Sequence, residues 1–365
     1  MKKIMFILPR MNNGGAERIV SILANAFVKR SFQVVIAVLV GENSFYHLSD
    51  HVKYITANIL IDRSGVIRRK LSLGLNFGKA LRFVKRTIKE QNPNVVIPLL
   101  PECEILTYLA TYKKQNIVKV VSDRCDPTQR NVVVRKVCGF IYKRADLLIC
   151  QSKVIADYYV DVQETKKCVI PNLIDKDMLP VPVNESKPLR IVSVGRLVPQ
   201  KNMSLLIDAF SLISDLFEDV TLTIYGEGPQ RGMLERSIKQ SNLQNRVFLP
   251  GASQDIFNQI KDAAVFVMPS NYEGFPNALL EAMALKIPVI STDFRTGVAR
   301  EIVTKDRGLV VPCHDKQALA TAMKQMIEND DLRRRIRRGN RDWLEKYSVS
   351  SVVKMWEDAI SRVIR

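Results

Sequence analysis

Two doubly wound α/β domains are the fold class that this sequence predicts, and three observations predict it. Short apolar runs alternate with longer helix-like stretches from end to end, the pattern left by parallel strands joined through crossover helices. That pattern finishes and begins again near the middle of the 365 residues. Between the two rounds, residues 175–188 (DKDMLPVPVNESKP) carry three prolines and no apolar periodicity, which marks a linker. The expected domains are therefore residues 1–180 and 188–349. A cleft is expected between the two sheets, where the carboxyl ends of their strands face each other.

In the first half, residues 3–8, 33–40, 95–99, 118–122, 147–150 and 168–170 read as strands, each a short run rich in Val, Ile and Leu. In the second half the strands are residues 189–194, 220–225, 247–249, 265–268, 289–291 and 308–311. Residues 19–27 form an apolar-periodic helix directly after the first strand. Residues 350–364 follow the second sheet pattern, with Val352, Val353, Trp356, Ile360 and Val363 at helical spacing, and periodicity alone lets that helix pack on either domain.

The net charge of +18 is unevenly spread. Residues 1–182 hold 29 Lys and Arg against 15 Asp and Glu, while the remainder holds 26 against 22. The densest part runs through Arg63, Arg68, Arg69, Lys70, Lys79, Arg82, Lys85, Arg86 and Lys89, interleaved with Leu71, Leu73, Leu75, Phe77, Leu81, Phe83 and Val84. That mixture suits adsorption to anionic headgroups, and it equally fits a solvated basic helix face. No recognised nucleic-acid motif accompanies the charge, so no nucleic-acid partner is expected. The longest apolar stretches fall far short of the ~18 residues needed to cross a bilayer, and no signal peptide is read at the start. The six cysteines show no Cys-x-x-Cys pair, and His47, His51 and His314 are not at metal spacing, so a reducing cytoplasm and no structural zinc are expected.

Four turns carry the chemistry. After the first strand, Gly14-Gly15-Ala16-Glu17-Arg18 opens a helix; adjacent glycines let backbone amides approach an anion, although a plain strand-to-helix turn explains them too. The second half opens with Val194-Gly195-Arg196-Leu197 followed by Lys201-Asn202. Two permanent cations at a strand's carboxyl end suit a diphosphate, or are ordinary surface charges. The next strand ends in Tyr225-Gly226-Glu227-Gly228-Pro229, where the backbone again allows a close approach. The fourth, Ser270 through Ala284, contains Glu273-Gly274-Phe275-Pro276-Asn277 and, eight positions after Glu273, Glu281. Pro276 suits a first helical turn, so the amides from Phe275 to Ala278 offer an anion site beside Glu273. One carboxylate then meets sugar hydroxyls and the other a ribose, unless Glu281 is an exposed helix acid.

These four segments together resemble glycosyltransferase family 4 (GT4), the retaining enzymes of the GT-B fold with two Rossmann-like domains. The motifs span nearly the whole chain, and Glu-x7-Glu within EGFPNALLEAMA is the most specific. The resemblance implies a nucleotide diphosphate sugar, with a uridine base favoured, held mainly by the second domain, and an acceptor held mainly by the first. Arg196 and Lys201 would hold the diphosphate and Gly14-Gly15 would approach it. Glu273 would contact the sugar and Glu281 the ribose, and Gly195, Gly226, Phe275, Pro276 and Asn277 would line the same pocket. Residues 350–365 would cross back to the first domain. The opening GGAER and Ser122-Asp123-Arg124-Cys125-Asp126-Pro127 resemble bacterial enzymes of capsule, lipopolysaccharide or lipid-linked oligosaccharide synthesis.

Two features depart from the pattern. Many members have a His after the fourth strand of the first domain; here the segment reads Pro98-Leu99-Leu100-Pro101-Glu102-Cys103-Glu104, leaving Glu102, Asp123 and Arg124 as acceptor-side candidates. Asp175-Lys176-Asp177 matches the Asp-x-Asp of metal-dependent glycosyltransferases by letter, yet falls in the linker. The resulting expectation is a metal-independent, cofactor-free hexosyltransferase at the inner face of the plasma membrane, acting on a glycan or a polyprenyl-diphosphate-linked acceptor. A nucleotide-sugar epimerase or phosphorylase of the same shape, and an inactive sugar-nucleotide-binding scaffold, are the alternatives.

Overall fold

The computed structural model describes residues 2–12, 14–59, 66–185, 187–339 and 343–364, and the side chains of all of these outside 66–75. The chain forms two compact units, Met1–Leu173 with Val349–Arg365, and Ile174–Ser348.

The first unit runs β1 (Lys3–Leu8), α1 (Gly15–Lys29), β2 (Gln33–Val38), β3 (Val52–Thr56), α2 (Val66–Gln91), β4 (Val95–Pro98), α3 (Pro101–Thr111), β5 (Val118–Asp123), α4 (Val132–Arg144), β6 (Leu147–Cys150), α5 (Lys153–Tyr158) and β7 (Lys167–Val169). All seven strands are parallel, in the order β3-β2-β1-β4-β5-β6-β7. Alternation along β1 explains the two-sided core: Ile4, Phe6 and Leu8 join the α1 side, while Met5 and Ile7 meet Ala80, Phe83, Val84 and Ile88 of α2 and Leu106 of α3.

β3 is the strand that apolar runs did not reveal. Its sequence, VKYIT, places Lys53 outward at the edge of the sheet, and an edge strand needs no continuous apolar stretch. α2 also revises the reading of the basic segment. Phe83 and Val84 lie in the core and Leu81 packs against it, so these residues are not free for a lipid surface; Lys79, Arg82, Lys85, Arg86 and Lys89 face out. Arg63 lies outside the described residues, as do the side chains of Arg68, Arg69, Lys70, Leu71, Leu73 and Leu75.

The second unit follows with β8 (Arg190–Val194), α6 (Met203–Ser211), β9 (Thr221–Tyr225), α7 (Arg231–Gln240), β10 (Val247–Gly251), α8 (Ile256–Ile260), β11 (Val265–Met268), α9 (Asn277–Ala284), β12 (Val289–Thr292), α10 (Val298–Ile302), β13 (Gly308–Val311), α11 (Lys316–Glu328) and α12 (Asp330–Gly339). Its parallel strands are ordered β10-β9-β8-β11-β12-β13. The segment expected as a linker falls within this unit, where Glu185 accepts from Arg337 at 2.6 Å and from the 2%-exposed Arg333 at 3.3 Å. Asp175 caps a 3-10 turn by accepting from the Asp177 amide, and Lys176 pairs with Glu345.

The chain then returns to the first unit as α13 (Val349–Val363). Val352, Val353, Trp356 and Ile360 are all 1% exposed or less and join the core that β1 shares with α1. Arg30, which caps the end of α1, bonds Glu357 of α13.

Candidate functional site

In open α/β sheets, ligands bind beyond the strand carboxyl ends where the strand order reverses. The second sheet reverses between β8 and β11, and the turns after those two strands carry Arg196, Lys201 and Glu273. Close backbone packing shapes the first of these turns. Gly226 has φ +146°, and a Cβ there would stand 1.9 Å from the Gly195 carbonyl oxygen, so only glycine lets the β9 turn rest on the β8 turn. Gly195 N–H donates to Tyr225 O at 3.0 Å and Leu197 N–H to Glu227 O at 2.9 Å, locking the two together.

The turn after β11 is stitched to the same edge. Asn271 N–H donates to Gln200 O at 2.8 Å, and Asn202 Nδ2 donates to Asn271 Oδ1 at 2.8 Å. This brings Lys201 Nζ to 2.6 Å from Glu273 Oε1, with the two side chains 17% and 8% exposed. Ser270 Oγ donates to the same Oε1 at 2.7 Å, whereas among the described residues Oε2 meets only Gln200 Nε2 at 3.4 Å. Thr296 Oγ1 donates to the Glu273 carbonyl at 3.2 Å and fixes the backbone beneath it. Arg196 is exposed, and its Nη2 reaches Gln200 Oε1 at 3.5 Å.

Beyond Glu273, Phe275 and Pro276 are buried, and Asn277 begins α9. Pro276 stands at the cap, one place before the expected first turn. The Asn277 amide donates inward to Phe275 O at 3.1 Å. Glu281 is half-buried, five residues into α9.

In the first unit the order reverses between β1 and β4. After β1, Gly14 is extended and caps α1, with Gly15 exposed; Tyr46 Oη donates to Gly14 O at 3.1 Å. After β4, Glu102 is exposed in the first turn of α3, which Leu100 enters with φ +71°. Asp123 is 0% exposed: Arg130 Nη2 and Tyr159 Oη both donate to it, and the Cys125 amide adds a bond of 3.2 Å. Burial pushes the Asp123 carboxyl up, and Arg130 pulls it partly back. Glu104, missed in the sequence, accepts from Tyr142 Oη at 3.0 Å and is pushed up to about 7, chiefly by burial and against the pull of Arg130. Arg124 donates to Asn172 Oδ1 at 2.7 Å and lies 5.7 Å from the Trp356 ring centre; desolvation pushes it down to about 10.

Two domain models match the chain: "Glycosyltransferase Family 4" over residues 13–178 and "Glycosyl transferases group 1" over residues 176–343. The chain belongs to the family 4 glycosyltransferases. It is 28% identical over 268 residues to an uncharacterized glycosyltransferase of Methanocaldococcus jannaschii, a match covering 62% of this chain and 66% of that protein. It is 24% identical over 364 residues to a Campylobacter jejuni α-1,4-N-acetyl-D-galactosaminyltransferase whose acceptor is a diphospho-undecaprenol-linked saccharide, covering 100% and 99% of the two chains. Among solved structures, sucrose-phosphate synthase from Thermosynechococcus elongatus superposes with a TM-score of 0.85 at 19% identity, covering 100% of this chain and 99% of that one. The Anabaena protein HepE in complex with UDP superposes at 0.77 with 18% identity, covering 99% and 100%. Both share the GT-B fold.

For a glycosyltransferase, the second-unit edge offers two cations and a carboxylate with one oxygen saturated and the other nearly open, held by glycine turns packed backbone on backbone. Ser270 and Gln200, which orient Glu273, are not singled out by spacing; only their places beside Glu273 and Lys201 could have drawn attention to them. Among the described residues, no group of three or more His, Cys, Asp or Glu is placed to hold a metal ion.

Proposed function

We propose that this glycosyltransferase moves a hexose or N-acetylhexosamine, with retention, from a uridine diphosphate sugar to a glycan or polyprenyl-diphosphate-linked acceptor in cell-surface polysaccharide synthesis. The observation that carries the proposal is the Lys201–Glu273 pair with exposed Arg196 at the β8/β11 reversal. Breaking the bond between anomeric carbon and phosphate builds negative charge on the departing diphosphate. Lys201 spends one N–H on Glu273 and keeps two for phosphate oxygens, while Arg196 adds a fork of N–H groups. Each such group is worth about 3 kcal/mol in the transition state. The leaving phosphate takes the acceptor's proton on the same face, and the two cations supply the charge that a divalent ion supplies elsewhere.

Glu273 Oε1 is saturated by Lys201 and Ser270, so Oε2 is the atom offered to a sugar hydroxyl. Glu281 on α9 is assigned to the ribose. Gly195, Gly226, Phe275, Pro276 and Asn277 shape the pocket for the nucleotide sugar, and the Gly14-Gly15 turn presents backbone to an anion. Exposed Glu102 and half-buried Arg124 are the acceptor-side groups, whereas enclosed Asp123 acts by holding its loop.

Support for the base and acceptor comes from UDP in the HepE complex and from the diphospho-undecaprenol substrate named for the Campylobacter enzyme. Both domain models are glycosyltransferase models, which favours transfer over the epimerase, phosphorylase and scaffold readings. Adsorption to the inner leaflet is part of the proposal, resting on the charge excess of residues 1–182. The test is a panel of nucleotide sugars screened for thermal stabilisation and then for acceptor-dependent UDP release with lipid extract. Epimerised sugar without acceptor would defeat the assignment, as would phosphates found away from Arg196 and Lys201 in a soaked crystal.

A further inference from the structure

The outward face of a surface helix is normally charged and polar. That of α4 is not. Val132, Val133, Val137 and Phe140 are 54%, 68%, 36% and 46% exposed, while Cys138, Ile141 and Tyr142 turn into the core. The helix, VVVRKVCGFIYKR, has no acidic residue. At 100° per residue, the four apolar side chains fall with Lys136, Lys143 and Arg144 in a single sector of roughly 140°. One side of the helix thus offers aliphatic, aromatic and cationic groups together.

Neighbouring elements extend the same face. The Phe140 ring stands edge-on to Tyr108 at 5.7 Å, and Tyr112 at the end of α3 is 56% exposed. Arg144 lies over Phe140, 3.6 Å from the ring centre. Beside α4, a recess of about 620 Å³ is lined by Arg135, Phe140 and Lys143, and by Tyr158 and the 82%-exposed Val160. Among the described residues Asp161 is the one acid in its lining, and it is paired with Lys143 at 2.8 Å.

We propose that this α4 face is where the protein docks on an anionic lipid surface, with the valines and Phe140 entering the headgroup layer and the cations meeting lipid phosphates. The inference rests on the membrane reading above and changes its location, because among the described apolar residues of α2 Phe77 alone is exposed, whereas α4 exposes four. Charge decides the occupant. A second copy would bring one cationic face against another, while an anionic bilayer supplies apolar depth and negative charge together.

The experiment sediments the full chain with vesicles of phosphatidylcholine alone and of phosphatidylcholine mixed with phosphatidylglycerol. Wild type is expected on the mixed vesicles only. Val133→Ser/Phe140→Ser and, separately, Lys136→Gln/Arg144→Gln should weaken that partition roughly tenfold or more, with melting temperature and UDP affinity unchanged, since these side chains are exposed. Lys85→Gln/Lys89→Gln on α2 should shift it less than about twofold. Loss of binding in the α2 variant with the α4 variants intact would overturn the α4 assignment and leave membrane docking standing. Indifference of wild type to the mixed vesicles would remove both. A change in sedimentation velocity of the lipid-free Val133→Ser/Phe140→Ser protein, with vesicle binding intact, would overturn the proposal in favour of self-association. None of these results touches the transferase assignment.

Discussion

The two sheet edges use their charges in opposite ways. Beyond β5, Asp123 and Arg130 are 0% and 7% exposed at the side chain, and each is closed by the other and by tyrosine hydroxyls. Beyond β8 and β11, Lys201 and Glu273 stay partly open, one Glu273 oxygen is barely used, and Arg196 stands exposed beside them. A sealed pair is shut away from a ligand and serves to fix its loop; an open pair beside a solvent-facing cation keeps donors within a ligand's reach. In the sequence, Glu273 belongs to the most specific motif and Asp123 is one of three acceptor-side candidates, and neither position distinguishes a sealed pair from an open one.

The largest expected effect belongs to the sealed pair. Asp123→Ala strands a buried guanidinium and should cost about 3–5 kcal/mol, read as a melting temperature lower by roughly 10 °C, with UDP affinity of the folded protein unchanged. A variant that melts normally and fails to bind UDP would erase the distinction. Next is Arg196→Ala, which should lower turnover roughly a hundredfold, or about 2.7 kcal/mol, at unchanged melting temperature. Near-wild-type rates would remove Arg196 from the site.

Glu273→Gln keeps shape and loses the ion pair. Its kcat/KM for the sugar nucleotide should fall roughly tenfold while affinity for UDP alone holds within about threefold, because the carboxylate is assigned to sugar and not to nucleotide. Loss of UDP binding in equal measure would sharpen the comparison against that assignment. The smallest effect concerns Glu104. Its folded pKa of about 7 lies above the ordinary 4.5, so its contribution is full below pH 4.5 and is lost as pH rises through about 7. From about pH 6 to about pH 8 it removes roughly 1 kcal/mol, a decline that Glu104→Gln should abolish in urea melts.

Sequence pattern revealed the elements that obey a single period. Continuous Val/Ile runs marked twelve strands because a parallel strand covered on both faces has no polar side to show. β3 escaped because Lys53 interrupts an edge strand whose outer side is solvated. The turns after β8, β9 and β11 were legible through their glycines and charges, but which atoms meet was not: Ser270 and Gln200 converge on Glu273 only once the β8 and β11 turns are hydrogen-bonded together. The α2 and α4 faces show the same limit in reverse. Both helices mix basic and apolar residues, and composition favoured α2, since only packing shows which apolar side chains are already taken.

Trp356 sets a timetable for synthesis. The first unit lacks a fully buried indole until residues from Val349 onward have been made, and the whole of Ile174–Ser348 is translated in between. At ~5–20 residues per second, β1 to β7 wait on the order of ten to tens of seconds with a gap where α13 belongs. The second unit, continuous in sequence, is free to mature first, so a nascent chain stalled before Val349 should show a protease-resistant back half ahead of the front.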